Sequence, residues 1–361
     1  MRIIQMLPVI SFGDAIANHT MALRQRFLAT GCDCRIYADL IDPRLPQDAV
    51  LPSGEYEQRD GDIILYHFST GHPMNRRILT YDKAKILLDY HNVTPEKYYL
   101  RVSEDAVDNC KVARVDLKYL ADKVDGCISD SDYNRQELSA LGFSCPSITA
   151  PILIAYEDYE KEPDAEVLAK WDDDYVNVIF VGRTVPNKRL EDVIEAFAYY
   201  QKHFQPKSRL FFVGTPAGCD LYLEALKRYV RRLRVENVIF TGHISFRAIL
   251  AYYRLADLFL CMSSHEGFCV PLVESMYFRI PIIAFDSSAI ADTLGQAGIL
   301  LREKNPLRTA AVMHYVLTHE DLKQQLRANE EEQLARFDRD RVFAVFDKFI
   351  REQAGAGNAD A

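Results

Sequence analysis

Two glutamates, Glu266 and Glu274, stand eight positions apart in residues 263–274, which read SSHEGFCVPLVE. A carboxylate held in a fixed place can accept hydrogen bonds from two hydroxyl groups. The spacing alone is weak evidence, because two glutamates eight apart occur by chance in many chains. The glycine loop and the proline between them make the whole string far more specific.

Short apolar runs flank this stretch on both sides. Residues 258–262 (LFLCM) and 281–285 (PIIAF) read as buried parallel strands, and residues 272–278 read as a helix between them. This order places Glu266 at the carboxyl end of a strand, beside the N-terminus of a helix. Free N–H groups and the helix dipole favour an anion there, and open α/β sheets bind their ligands at that edge.

The complete pattern resembles the signature of the retaining glycosyltransferases of family 4, which have the GT-B fold. That fold is α/β, with two Rossmann-like doubly wound parallel-sheet domains facing a central cleft. The resemblance covers nearly the whole chain and is strongest over residues 176–302. It implies that Glu266 is a catalytic residue that binds the donor sugar and places its anomeric carbon, and that Glu274 holds the ribose hydroxyls. The loop residues expected to bind the donor are Gly267, Phe268, Cys269 and Val270.

A second charged motif follows residues 176–181 (VNVIFV), which are another predicted strand. Arg183 and Lys188 stand five positions apart between the end of this strand and a helix start. Fixed cations there suit a diphosphate, which gains negative charge as the glycosidic bond breaks. The pair also resembles the phosphate-binding pair of the family. Without that resemblance, an exposed basic loop is an equally good interpretation.

The first half begins with a strand, a loop, a helix and a strand, the opening of a doubly wound α/β domain. Its first loop, residues 11–14, lacks the G-x-G-x-x-G fingerprint, which counts against a dinucleotide enzyme. Gly13 matches the glycine loop that faces the donor diphosphate in the family. An ordinary tight turn is the alternative.

His91 directly follows the predicted strand at residues 85–90. Imidazole can donate or accept a hydrogen bond near neutral pH. Many members of the family have a histidine here, beside the donor sugar and the acceptor, so we predict His91 as a second catalytic residue. Alone, it would more often be a structural histidine. His67 and His72 are weaker candidates, for which surface or core roles are expected.

Residues 209–214 and 238–241 are predicted strands. In the family, the ends of these two strands form the nucleobase pocket, largely through backbone groups. Gly214 and Ile244 are the residues predicted there. Backbone recognition leaves little sequence signal for which base is bound.

The length of 361 residues predicts two domains. We place the boundary in the charged segment 156–174, which gives an acceptor domain over residues 1–165 and a donor domain over residues 166–337. The amphipathic segment 338–353 is predicted to be a helix that crosses back to the first domain, as in GT-B proteins. The net charge of −9 argues against nucleic acid as a partner.

No metal site is predicted. The eight cysteines lack metal-ligand spacing and read as free thiols in a reducing cytosol. The aspartate runs at residues 60–62 and 172–174 precede strands instead of following them, so they read as solvated loop charges. No apolar window is long enough to span a membrane. The apolar run at the N-terminus, residues 1–7, is too short for the core of a signal peptide. We therefore expect a cytoplasmic protein, for which peripheral contact with the inner membrane face stays open.

The predicted reaction transfers a hexose from a nucleotide-diphosphate sugar to a saccharide or lipid-linked saccharide, keeps the anomeric configuration and needs no metal or other cofactor. The resemblance favours mannose and GDP-mannose, as in bacterial mannosyltransferases of polysaccharide and lipopolysaccharide synthesis. Because no nucleophilic carboxylate is evident, we favour a same-face mechanism in which the leaving phosphate takes the acceptor proton. The alternatives are a sugar-nucleotide 2-epimerase of the same fold and a non-catalytic sugar-nucleotide-binding protein. A nicotinamide dehydrogenase is least favoured.

Overall fold

The computed structural model describes residues 1–46 and 48–355, which divide into two compact units. The first unit contains residues 1–96, 105–155 and 337–355, and the second contains residues 97–104 and 156–336. Within these ranges, no helix is long and apolar enough to cross a membrane.

The first unit is a parallel sheet with helices between its strands. Its strands are β1 (Arg2–Ile10), β2 (Asp33–Ile41), β3 (Val50–Pro52), β4 (Asp62–Phe68), β5 (Ala84–Tyr90), β6 (Gly126–Ser129) and β7 (Ser147–Thr149). Its helices are α1 (Ala15–Ala29), α2 (Met74–Arg77), α3 (Glu104–Leu120), α4 (Asp132–Ala140) and, from the end of the chain, α13 (Arg339–Gly355). The strand order β3-β2-β1-β4-β5-β6-β7 changes direction between β1 and β4, as in a doubly wound sheet.

Apolar runs in the strands and helices build the core of the first unit. Ile3 of β1 and Leu65 of β4 are fully buried in one cluster with Phe27 of α1. Phe346 and Phe349 of α13 are buried in the same cluster, so the last helix completes this core. Apolar residues continue as far as residue 154, but strand β7 ends at Thr149. Pro151 gives the reason, since proline has no N–H with which to continue a ladder.

The second unit repeats the architecture. Its strands are β8 (Val176–Val181), β9 (Ser208–Val213), β10 (Val238–Phe240), β11 (Leu258–Cys261), β12 (Ile282–Phe285) and β13 (Ile299–Leu301). Its helices are α5 (Ala165–Trp171), α6 (Leu190–His203), α7 (Asp220–Leu233), α8 (Phe246–Leu255), α9 (Val270–Tyr277), α10 (Ile290–Leu294), α11 (Pro306–Thr318) and α12 (Glu320–Leu334). The strand order is β10-β9-β8-β11-β12-β13.

This order brings the two charged motifs of the second unit together. Strands β8 and β11 are parallel neighbours, and the sheet changes direction between them. The loop after β8 carries the Arg183 motif, and the loop after β11 carries the Glu266 motif, so both lie at one carboxyl edge. The predicted fold class, α/β with two Rossmann-like parallel sheets, is confirmed.

Candidate functional site

Glu266 and Lys188 form an ion pair at the carboxyl edge of the second unit's sheet. The Lys188 ammonium contacts Oε2 of Glu266, and the two side chains are 16% and 7% exposed. Burial opposes the charge on Lys188, but the Glu266 carboxylate outweighs it and raises the pKa of the lysine. The structure therefore brings together two predicted site residues that are 78 positions apart in the chain.

Serine side chains hold Glu266 in place on two further sides. The Ser263 hydroxyl donates to Oε1 of Glu266 at 2.7 Å, and the Glu266 backbone N–H donates to Oγ of Ser288 at 2.7 Å. Both carboxylate oxygens and the backbone are thus bound, which fixes the rotamer as well as the position. A group held in this way can contact a ligand without first becoming ordered.

A lysine that the sequence analysis did not identify braces the same loop. Lys304 donates to Oδ2 of Asp192 and to the carbonyl oxygen of Met262, both at 2.7 Å, and to Oγ of Ser264 at 2.8 Å. Burial lowers the pKa of Lys304, and Asp192 partly offsets this effect. No motif includes Lys304, because it lies 40 positions after Ser264.

The segment 97–104 also contacts this loop. The Tyr98 hydroxyl donates to the carbonyl oxygen of Ser264 at 3.1 Å, and the rings of Tyr98 and His265 lie 6.1 Å apart. From the side of β8, the Asn187 amide donates to the carbonyl oxygen of His265 at 2.9 Å. The backbone before Glu266 is therefore held by side chains from three distant parts of the chain.

Arg183 differs from Lys188 in its surroundings. Its side chain is exposed, and within residues 1–46 and 48–355 it has no hydrogen bond or ion pair to a protein group. Its cation is therefore available to an anionic ligand. Gly214 lies beside it, because a Cβ atom on Gly214 would stand 2.1 Å from the carbonyl oxygen of Gly182. Close packing of the two strand-end loops explains this glycine without a ligand.

Glu274 lies on α9 and binds two tyrosines. Its Oε1 accepts from the Tyr159 hydroxyl at 2.9 Å, and its Oε2 accepts from the Tyr253 hydroxyl at 2.5 Å. Burial raises the pKa of Glu274, although both hydrogen bonds oppose the shift. A carboxylate oxygen has a second lone pair, so Glu274 keeps acceptor capacity for ribose hydroxyls. The predicted contact with ribose stays a prediction.

The loop from Gly267 to Val270 leads into α9. Cys269, at the N-cap, has a left-handed backbone with φ 74°, and the carbonyl oxygen of Phe268 accepts from the Thr293 hydroxyl at 2.6 Å. Ligand atoms of Cys261, Glu266 and Cys269 lie within 4.8 Å of one another. Oε2 of Glu266 contacts the Lys188 ammonium and Oε1 accepts from the Ser263 hydroxyl, so a lysine already compensates the charge of this carboxylate.

Two other predicted donor-binding residues are in loops. Ile244 follows β10 and is half-buried, and Gly13 precedes α1 in a tight turn with φ 80°. A Cβ atom on Gly13 would meet nothing within 4 Å, so the backbone conformation alone favours glycine there. The roles of both residues stay predictions.

His91 lies at the carboxyl edge of the first unit's sheet, directly after β5. Its Nδ1 is 3.0 Å from Oδ1 of Asp130, and its Nε2 is 3.0 Å from Nδ1 of His67. Burial opposes a charge on His91, but the Asp130 and Asp89 carboxylates outweigh burial and raise its pKa to about 9. Both ring nitrogens are therefore occupied, and the predicted contact with sugar or acceptor needs a different conformation.

His67 has one of the roles that the sequence favours, because it is a core residue. It is fully buried between Gln5 and His91. Its position at the end of β4 was the available signal, because β4 and β5 are neighbours in the sheet. Asp130, at the end of β6, gave the same signal and was not identified.

Comparison with known proteins adds a family match. Residues 162–333 match the family described as "Glycosyl transferases group 1", a range that contains the whole Lys188–Glu266 site. The O-antigen chain mannosyltransferase B of Escherichia coli is 22% identical over 254 residues, which cover 67% of this chain and 62% of that protein. The D-inositol 3-phosphate glycosyltransferase of Jonesia denitrificans is 24% identical over 203 residues, covering 55% and 47%. The chain thus spans less than two thirds of the length of these curated relatives.

Solved structures show the same fold over nearly the entire chain. Sucrose-phosphate synthase from Thermosynechococcus elongatus has a TM-score of 0.77 at 17% identity and covers 99% of this chain and 100% of its own. Anabaena HepE in complex with UDP-glucose has a TM-score of 0.75 at 14% identity, covering 98% and 100%. The chain therefore has the GT-B fold, and residues 162–333 within it match the glycosyl transferases group 1 family.

Proposed function

We propose that this protein is a retaining glycosyltransferase that moves a hexose from a nucleotide-diphosphate sugar to a saccharide or lipid-linked saccharide. We further propose mannose as the hexose and GDP-mannose as the donor. The mannosyltransferase among the relatives supports this choice, whereas the neighbour in complex with UDP-glucose makes a uridine donor the alternative to test. Synthesis of a cell-surface glycan is the expected context.

One observation carries the proposal: the Lys188–Glu266 pair lies at the switch point of a parallel sheet, beside the exposed cation of Arg183. Open α/β sheets bind their ligands at such a point. A diphosphate needs cations, and a sugar needs a fixed hydrogen-bond acceptor. This edge of the sheet has both the cations and the acceptor, and all of them lie within residues 162–333, which match the family.

In the proposed reaction, Arg183 and Lys188 bind the diphosphate and stabilise the charge that develops on it as the glycosidic bond breaks. Glu266 keeps its contact with Lys188 and accepts hydrogen bonds from the donor sugar. Glu274 binds the ribose. The leaving phosphate takes the proton of the acceptor hydroxyl on the same face, so no protein nucleophile and no metal ion are required.

The test is a thermal-shift panel of UDP-, GDP- and ADP-sugars, because a ligand that binds only the folded state raises the melting temperature. We expect GDP-mannose to stabilise the chain, and the variant Arg183→Gln to lose most of the shift. The matched control Arg231→Gln removes an exposed cation of α7 and should keep it.

Product analysis with the stabilising donor then separates the three candidate functions. Release of nucleoside diphosphate with a glycosylated acceptor supports the transferase. An epimerised sugar would indicate the epimerase, and tight binding without any product would indicate a binding protein. No shift with any nucleotide sugar would contradict the proposal.

A further inference from the structure

Two buried imidazole rings meet edge to edge, nitrogen to nitrogen, at the carboxyl edge of the first unit's sheet. Nδ1 of His67 and Nε2 of His91 are 3.0 Å apart. The ring planes are within 7° of parallel, and the ring centroids are 5.3 Å apart. The centroid separation equals the sum of three lengths: the nitrogen–nitrogen distance and, in each ring, the distance from the centroid to the nitrogen. The two nitrogens therefore point at each other along one line, the geometry of a direct N–H···N hydrogen bond.

The partners of the two outer nitrogens determine where protons must be. The Gln5 amide N–H2 donates to the carbonyl oxygen of Thr20 at 3.0 Å, which fixes the orientation of the amide. Its Oε1 therefore faces Nε2 of His67 at 3.0 Å and requires an N–H there. On the other side, Nδ1 of His91 is 3.0 and 3.1 Å from the two oxygens of Asp130.

Burial raises the pKa of Asp130 and the facing His91 opposes this shift, but the nearly equal distances from Nδ1 to the two oxygens indicate an N–H centred on a carboxylate. A protonated Asp130 that donated to the ring would bring one oxygen nearer than the other. Both outer nitrogens of the pair therefore carry hydrogen, and the facing inner nitrogens need one proton between them. The two rings together hold three protons, which is one more than two neutral imidazoles hold.

We propose that His67 and His91 form a proton-sharing imidazole–imidazolium pair that carries a single positive charge in the resting protein. His67 is the positioning residue of this pair: its Nδ1 accepts the N–H of the charged His91 ring, and Gln5 fixes the tautomer of His67. The role of His91 in transfer rests on the proposed function, whereas the shared proton does not.

The charges around the pair favour this state. Oδ2 of Asp89 lies 3.2 Å from Nδ1 of His67 and 3.6 Å from Nε2 of His91, and Asp14 is a further carboxylate that acts on His91. Burial lowers the pKa of His67 to about 4, while the carboxylates overcome burial and raise the pKa of His91 to about 9. The shared proton therefore resides on His91.

The remaining histidine of the cluster, His19, does not carry this proton. Its Nδ1 accepts the backbone N–H of Leu153 at 2.8 Å, so its own hydrogen is on Nε2, which donates to Oδ2 of Asp89 at 3.2 Å. This contact holds Asp89 in position beside the pair.

A metal ion would be the competing explanation, since ligand atoms of His19, His67, Asp89 and His91 lie within 4.8 Å of one another. Two lone pairs that point at each other along one line cannot both point at a third position, as ligands of one ion do. The Nε2 of His19 carries hydrogen and has no lone pair to offer. The geometry therefore favours the shared proton over a metal.

The test is long-range proton–nitrogen NMR of the full chain, labelled with nitrogen-15 in histidine. The variants His67→Asn and His91→Asn assign the two rings by the signals that they remove. We expect one ring with two protonated nitrogens and one neutral ring with its hydrogen on Nε2. Neither ring should titrate between pH 6 and pH 8.

A matched pair of variants tests the positioning role. The amide oxygen in His67→Asn can accept the N–H of His91, so His91 should stay charged at pH 7. His67→Leu offers no acceptor, and His91 should then titrate at a lower pH or be neutral. A purely structural role of His67 would leave the charge on His91 unchanged in both variants. If His67→Leu does not fold, the spectra of the wild type and His67→Asn still decide.

Two neutral rings at pH 7, or two rings that titrate independently near pH 6.5, would overturn the proposal. So would one equivalent of tightly bound metal in the purified chain. None of these measurements uses a nucleotide-sugar donor or a saccharide acceptor. The NMR and metal measurements can therefore contradict the shared proton while the proposed transferase activity stands. A failed transfer assay, in turn, would leave the shared proton untouched.

Discussion

At the scale of single residues, the Lys188–Glu266 pair combines a structural and a chemical role. Each partner is largely buried, and each compensates the charge of the other. A buried ion pair adds little net stability, yet removal of one partner leaves an uncompensated charge. The pair therefore keeps two charged groups in a buried site that would otherwise favour their neutral forms.

We predict that Glu266→Gln lowers the free energy of unfolding by about 3 kcal/mol, because it leaves the buried Lys188 ammonium without its carboxylate. The double variant Lys188→Met/Glu266→Gln should recover much of this loss, because it also removes the orphaned charge. Both variants should lose transfer activity. Urea unfolding and the product assay measure the two effects separately.

The control is Glu303→Gln, which breaks an ion pair with Arg308 in which both side chains are more than half exposed. We expect a change of roughly 0.5 kcal/mol or less there. Equal losses for Glu266→Gln and Glu303→Gln would show that the Lys188–Glu266 pair is not buried as described.

At the scale of elements, the loops that follow β8 and β9 approach each other closely. The Gly182 N–H donates to the carbonyl oxygen of Val213 at 2.9 Å, and the Thr184 N–H donates to that of Thr215 at 2.8 Å. Gly214 has φ 148° and packs against Gly182. This contact positions the backbone from which Arg183 extends.

We predict that Gly214→Ala lowers the free energy of unfolding by roughly 3 kcal/mol, because its Cβ would collide with the Gly182 carbonyl and its φ is strained. The displaced Gly182 should also weaken donor binding through Arg183. In the control Gly13→Ala, the positive φ costs about 1 kcal/mol and no atom is displaced. Chemical denaturation of both variants makes the comparison, and equal costs would contradict this account of Gly214.

Most elements of the chain could be predicted from the sequence, because apolar runs and glycine turns mark them locally. The strands predicted at residues 85–90 and 176–181 are β5 and β8 of the structure. Which strands are neighbours is not local information. The sequence placed Lys188 and Glu266 at strand ends, but only the adjacency of β8 and β11 shows that they touch.

The histidine cluster shows the same limit more strongly. Strands β1, β4, β5 and β6 are successive neighbours in the sheet. Gln5 lies in β1 and His67 in β4, whereas His91 directly follows β5 and Asp130 directly follows β6. Each residue alone reads as an ordinary polar residue in or after an apolar run. Their shared function depends on strand order and register, which composition and periodicity do not contain.

At the scale of the whole molecule, two buried groups make stability fall as the pH rises. Glu330 is fully buried, and in the described part of the chain neither of its oxygens has a hydrogen-bond partner. Burial raises its pKa to about 9, against the opposing charges of Arg327 and Arg279. Folded Glu330 therefore keeps a proton that the unfolded chain loses above about pH 4.5.

His91 acts in the same direction. Its pKa in the folded chain is raised from 6.5 to about 9, so its stabilising contribution is complete below pH 6.5 and is lost as the pH rises through 9. The lowered pKa of His67 has the opposite sign, and its contribution is complete above pH 6.5 and lost as the pH falls toward 4. Between pH 6.5 and 8.5 the His91 and Glu330 contributions therefore add.

We predict that the folding equilibrium constant falls about fiftyfold per pH unit in this window, because each of the two groups contributes somewhat less than its limiting value of about tenfold. Glu330→Gln has no proton to retain there, so its slope should be about half that of the wild type. Urea midpoints at intervals between pH 6.5 and 8.5 measure both slopes. An unchanged slope in Glu330→Gln would contradict the assignment of a retained proton to Glu330.

The place of α13 in the core of the first unit has a consequence for synthesis of the protein. The second unit is nearly continuous in sequence, and residues 156–336 leave the ribosome before residues 337–355. The aromatic side chains of Phe346 and Phe349 are missing from the first core until then. We therefore expect the part of the chain that is made first to complete its folding last, with an apolar groove on the nascent first unit that chaperones can bind in the interval.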